Sequence, residues 1–114
     1  MGQEFVGSAP TGTRRIIRNA ICDSTMWDGF ALRDDDILIV TPGKTGTTWM
    51  QQIVGQLVLG GPEGLLASHS PWFDHNVRTR AEARAKLDAQ THRRFIKTHL
   101  PIDALPWSPR VRYI

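Results

Sequence analysis

A chain of 114 residues with a hydrophobic fraction of 40% can build one domain with a modest core and no more. Fourteen Lys and Arg against eleven Asp and Glu leave a charge of +3, which suits an anionic small ligand, while the lack of any long block of like charge argues against a nucleic-acid partner. Cys22 is the sole cysteine, so no intrachain disulfide forms, and no apolar run approaches the roughly 20 residues that span a bilayer.

Residues 1–13 contain three Gly and a Pro and are expected to form an irregular arm. Their first six residues lack the basic segment and apolar core of a signal peptide, so a cytoplasmic protein without a membrane partner is expected. Residues 14–21 are compatible with strand or helix. Asp23 and Ser24 are placed to cap a short helix over residues 25–30, with Trp27 and Phe30 on one side. Arg33-Asp34-Asp35-Asp36 reads as a solvated turn. The rival reading, a metal site, requires ligands spaced to converge.

The most informative stretch follows. An apolar run, Ile37–Val40, breaks at Thr41-Pro42-Gly43 and leads through Lys44, Thr45, Gly46, Thr47 and Thr48 into a helical pattern. Strand, tight loop and helix N-terminus form the geometry in which backbone N–H groups and a helix dipole converge on an anion. The helix is expected over residues 47–59, with Trp49, Met50, Ile53, Val54, Leu57 and Val58 facing a core, and Gly60-Gly61-Pro62 ends it.

Residues 68–76 read as an ordered loop carrying Trp72 and Phe73. A second helix spans residues 80–90, started by a capping box of Thr79 and Glu82 and supported by Glu82–Lys86 and Arg84–Asp88 pairs. Residues 94–98 form a second strand, His99-Leu100-Pro101 a loop at its C-terminal end, residues 105–109 a rigid connector and residues 111–114 a third strand. Strands separated by helices imply an α/β fold with a parallel sheet and right-handed crossovers. A buried parallel strand normally feeds a further loop and helix, so residues 14–114 are expected to be the N-terminal part of a larger domain.

Gly43-Lys44-Thr45 invites comparison with a triphosphate-binding loop, but that motif needs a glycine where this chain has Leu38. The order Lys44-Thr45-Gly46-Thr47-Thr48-Trp49 instead resembles the 5′-phosphosulfate loop of cytosolic-type sulfotransferases, commonly Tyr-Pro-Lys-Ser-Gly-Thr-Thr-Trp. A second segment, Arg94-Phe-Ile-Lys97-Thr98-His99-Leu100-Pro101, resembles that family's Arg-x-x-Lys-Thr-His-Leu-Pro. Pro42-Gly43 replaces the family's Tyr-Pro, and Thr45 replaces its Ser while keeping the hydroxyl. The resemblance covers residues 30–114 and implies a P-loop-like, three-layer α/β/α fold. It also implies 3′-phosphoadenosine 5′-phosphosulfate (PAPS) as donor, adenosine 3′,5′-bisphosphate (PAP) as product and a small hydroxyl-bearing acceptor. The family's 3′-phosphate ligands and closing segment correspond to positions beyond Ile114, so a nucleotide-binding module without catalytic activity is the alternative.

Sulfuryl transfer needs a base for the acceptor proton, and histidine titrates in the right range. It also needs a fixed cation beside the departing phosphate oxygen, and no metal is required in principle. The resemblance assigns His99 as general base and Lys44 as that cation, with Lys97 on the same strand face as His99 and directed at the sulfuryl group or the acceptor. It assigns Lys44, Thr45, Gly46, Thr47 and Thr48 to the 5′-phosphate and Trp49 to the adenine. Lys97, Thr98, His99, Trp72 and Phe73 are the candidates for acceptor binding. The acceptor's identity and the oligomeric state are not legible.

Overall fold

A computed structural model describes residues 14–42, 46–60, 69–76 and 79–114. Strand β1 (Ile37–Val40) is a short run of apolar residues, and Ile37, Leu38 and Ile39 are buried, as befits the middle of a parallel sheet. It lies between β2 (Phe95–Thr98) and β3 (Arg112–Tyr113) in the order β2–β1–β3, all parallel. Ile37 pairs with Phe95 and Val40 with Thr98 on one side, and Ile37 with Arg112 on the other. The expected parallel α/β sheet is therefore present. Strand β3 is shorter than the sequence implies, and β2 reaches it through a 3₁₀ turn, Ile102–Ala104, rather than a helix.

The sheet separates two apolar layers. On one face Ile37, Ile39 and Phe95 pack with Val54, flanked by Met50 and Val58 of helix α1 (Thr47–Leu59). On the other, Leu38 and Ile96 join Met26, Trp27, Phe30, Phe73, Ala83 and Leu87. The last two belong to helix α2 (Arg80–Asp88), which ends before the expected residue 90. Trp27 sits in a 3₁₀ turn, Ser24–Trp27, capped by Asp23. The turn replaces the longer helix expected over residues 25–30, because Asp28 is extended and Gly29 adopts a φ of 71°.

Helix α1 has the expected limits, and Gly60 leaves it at φ 81° with its N–H 3.0 Å from the Gln56 carbonyl. Its buried face is narrower than expected. Met50, Val54 and Val58 repeat every four residues along the line of contact with the sheet, whereas Trp49 and Leu57 are 78% and 80% exposed and Ile53 is also exposed. A helix lying on one sheet buries one stripe, and neighbours about 100° around it face outward. On α2, Thr79 Oγ1 accepts the Glu82 N–H at 3.1 Å. Arg84 turns towards the carbonyls of Met26 and Asp28, and Asp88 faces Arg94 at 3.7 Å, so both reach across the layer rather than along the helix.

The acidic segment before β1 is only partly a solvated turn. Asp34 and Asp35 are exposed, but Asp36 is buried against the fully buried Arg94 at the start of β2. Arg94 Nε donates to Asp36 Oδ1 at 3.0 Å and Nη2 to Oδ2 at 2.5 Å, a two-pronged pair that also fixes the Arg33 N–H at 2.8 Å. The Ile37 N–H donates to the Arg94 carbonyl at 2.9 Å, so the same two residues set the parallel register. Asp36→Ala strands a buried guanidinium and is expected to lower the unfolding free energy by about 3–5 kcal/mol in urea titrations. Asp34→Ala, which breaks the exposed pair with Arg110, leaves the midpoint nearly unchanged.

Candidate functional site

Because Val40 and Thr98 are opposite one another in the ladder, β1 and β2 finish together and the residues after them meet. His99 Nδ1 lies 2.6 Å from the Thr41 carbonyl oxygen. A carbonyl only accepts, so Nδ1 carries the proton and, in the neutral ring, Nε2 carries the lone pair. The Thr41 hydroxyl pairs with the hydroxyl of Thr47, the first residue of α1. One residue thus links the histidine to the start of the helix.

Gly46 precedes α1 with a φ of 91°, a left-handed conformation that glycine adopts without cost. It offers no capping side chain, and the first turn of α1 carries no acidic residue. Among the described residues no side chain caps the start of α1, a geometry whose N–H groups and positive dipole end suit an anion.

Gly46, Thr47, Thr48 and Trp49 share a cavity of about 850 Å³ with Trp72, Lys97 and His99. The sequence motifs thus meet in one place, with the start of α1 on one wall and the histidine on another. Trp72 runs alongside Lys97 as a parallel bridge; the Lys97 Nζ sits 4.8 Å from the indole centroid, and the His99 ring meets the indole edge-on at 4.7 Å. Lys44 and Thr45, assigned from the motif, lie outside the described residues, as does the arm over residues 1–13.

Two candidates for acceptor binding lie elsewhere. Phe73 is buried in the core, its ring 4.5 Å from that of Trp27 and 4.7 Å from that of Phe30. Thr98 is fully buried with its hydroxyl donated to Asp74. Alternation along the loop and strand sends Trp72 and Lys97 to the cavity and their neighbours into the core.

The remaining wall was not legible as functional: Asn19, Ala20 and Ile21, from the segment left open between strand and helix, line the cavity together with the adjoining Cys22. Asn19 Oδ1 accepts the N–H groups of Ile21 and Cys22, both at 2.8 Å, and Cys22 bridges to His75 beside Trp72. An Asn followed by small apolar residues is the available turn signal, but it does not reveal which loop it meets. Burial pushes the Cys22 thiol up from its ordinary pKa, and the neighbouring Asp74 adds to this. Burial likewise raises the pKa of Asp74, against hydrogen bonds from Thr98, Trp27 and Trp72 and the nearby His99, which act to lower it.

Among the described residues, no helix is long and apolar enough to cross a membrane. Residues 34–114 match the family model described as a sulfotransferase domain. A glycolipid sulfotransferase of Mycobacterium tuberculosis is 48% identical over 107 residues, covering 92% of this chain and 33% of that protein. Human sulfotransferase 1E1 is 32% identical over 90 residues, covering 72% and 31%, and rabbit (Oryctolagus cuniculus) sulfotransferase 1C2 is 29% identical over 93 residues, covering 75% and 31%. The chain spans about a third of the length of these relatives.

Gly46 and Gly60 provide a matched pair, since both have positive φ and an added Cβ meets nothing within 4 Å among the described residues at either position. Alanine at each is expected to cost about 1 kcal/mol in thermal unfolding through backbone conformation alone. In titrations with inorganic sulfate, only Gly46→Ala is expected to weaken binding.

Proposed function

Since this chain belongs to the sulfotransferase domain family, we propose that it is the N-terminal part of an enzyme domain that moves a sulfuryl group from PAPS to a hydroxyl of a small-molecule acceptor. The observation that carries this reading is the shared cavity, where the start of α1, capped by no described side chain, and a histidine with its Nδ1 proton committed to Thr41 line the same space. Thr47, Thr48 and the first-turn N–H groups hold the donor's 5′-phosphate. Trp49, whose side chain is exposed, supplies a face for the adenine. Lys44 and Thr45 complete that loop by their place in the motif.

His99 Nε2 accepts the acceptor's hydroxyl proton as the new oxygen–sulfur bond forms. Lys44 steadies the negative charge on the phosphate oxygen released when the old oxygen–sulfur bond breaks, leaving PAP. Lys97, held beside Trp72, reaches the sulfuryl oxygens or the acceptor. The wall of Ala20, Ile21, Cys22 and Trp72 gives the acceptor an apolar surface. The mycobacterial relative is named for glycolipids, so glycolipid hydroxyls are the first acceptors to test. The solitary Cys22 fits the reducing cytoplasm.

Transfer of labelled sulfate from PAPS to glycolipids, alcohols and phenols tests the reading. His99→Ala is expected to lower kcat by about 10²–10⁴-fold, and a variant with undiminished turnover removes His99 as base. The alternative, nucleotide binding without transfer, draws on the chain's coverage of only a third of its relatives. It predicts a calorimetric signal with PAP and no labelled product from any acceptor.

A further inference from the structure

Asp74 lies beneath the cavity, outside its lining, and is fully buried. Its Oδ1 accepts the Trp72 Nε1–H at 2.7 Å, and its Oδ2 accepts both the Trp27 Nε1–H at 2.9 Å and the Thr98 hydroxyl. Three donors converge on one carboxyl group, and two of them belong to residues in contact with the proposed reacting groups.

Trp72 is the first. Its indole stacks on His75 with centroids 4.2 Å apart, carries the Lys97 ammonium over its ring and meets His99 by its edge. Thr98 is the second, lying between Lys97 and His99. While donating to Asp74, its hydroxyl accepts the Leu100 N–H at 3.0 Å, fixing the backbone on both sides of His99. An indole lacking its N–H partner is free to rotate away from Lys97, and a threonine that swings away releases the turn carrying His99.

We propose that Asp74 is a positioning residue, orienting Trp72 and Thr98 so that Lys97 and His99 are held at the working wall of the cavity. This rests on the reading of Lys97 and His99 as the reacting groups. An asparagine cannot reproduce the arrangement: whichever way its amide is turned, an NH₂ faces an N–H or O–H donor that the carboxylate accepted. Trp27 serves as a contrast, because it meets the same carboxyl from the core and lies outside the cavity lining.

The first arm of the test reads position without turnover. In the full chain, NMR is expected to show Asp74→Asn altering the hydrogen-bonded Trp72 indole N–H signal, where the amide turns its NH₂ to Trp72, or the fixed Nδ1–H tautomer of His99, where it turns its NH₂ to Thr98. Trp27→Phe lowers the melting temperature but keeps both signals. The second arm reads kcat at saturating donor, where Asp74→Asn and Trp72→Phe are each expected to lose about tenfold to a hundredfold. The donor KM stays constant, and the double variant falls within about twofold of the worse single one, as expected for residues acting as one unit.

Unchanged Trp72 and His99 signals in folded Asp74→Asn overturn the proposal, as does full kcat in that variant or a double variant whose losses multiply. If Asp74→Asn fails to fold, Trp72→Phe decides, and full kcat there overturns it. His99→Ala separates the two layers of inference. Retained activity in that variant sinks the assignment of the base, whereas its loss alongside a fully active Asp74→Asn sinks only the positioning role.

Discussion

The buried pair of Asp36 and Arg94 is the constraint on which the rest of the molecule depends. Each charge is costly to remove from water, and each is tolerable only because the other meets it in two-pronged geometry. The pair stands where β1 and β2 begin, and the first ladder bond, from Ile37 to Arg94, lies beside it. An ion pair of this kind adds little net stability over an apolar pair of the same shape, but it penalises every other alignment of the two strands. A one-residue slip would separate the charges and turn the buried side chains to the wrong face.

The alignment set at one end of the sheet is used at the other. With β1 and β2 in register, Thr41 and His99 leave the sheet side by side, and Thr41 serves both neighbours. Its carbonyl takes the His99 Nδ1 proton, its hydroxyl meets Thr47, and its own N–H returns to the Thr98 carbonyl at 3.2 Å. The proposed base and the start of α1 are thus referenced to one backbone position. Behind them, the layer containing Trp27, Phe30 and Phe73 supports the loop that brings Trp72 to the cavity.

What the sequence made legible was local chemistry. The limits of α1, its glycine exit and the Thr79 cap of α2 depend on residues within a few positions of one another, and the two motifs contain Gly46, Thr47, Thr48, Lys97 and His99, which line one cavity. Properties set by distant partners were harder to read. The periodicity of α1 admits two adjacent stripes, and the sheet selects Met50, Val54 and Val58 over Trp49, Ile53 and Leu57. Asp36 resembles its exposed neighbours until Arg94 is brought against it from across the chain. The wall at residues 19–22 and the carboxyl of Asp74 acquire meaning only when the 69–76 loop lies along β2, which no local pattern announces.

The four tryptophans occupy contrasting surroundings, and one of them, Trp107, is half-buried with its ring stacked on Tyr113 at 5.0 Å. Trp27 is enclosed in the core with its N–H bonded to Asp74, Trp72 is half-buried against a cation and a histidine, and Trp49 stands in solvent at the cavity's entrance. Indole emission shifts to longer wavelength with solvent exposure, so the red edge of the chain's intrinsic fluorescence belongs largely to Trp49. The cavity consequently carries its own optical reporter. A planar ring stacking on that indole quenches light that the core tryptophan does not emit, and occupancy can be followed without attaching a dye.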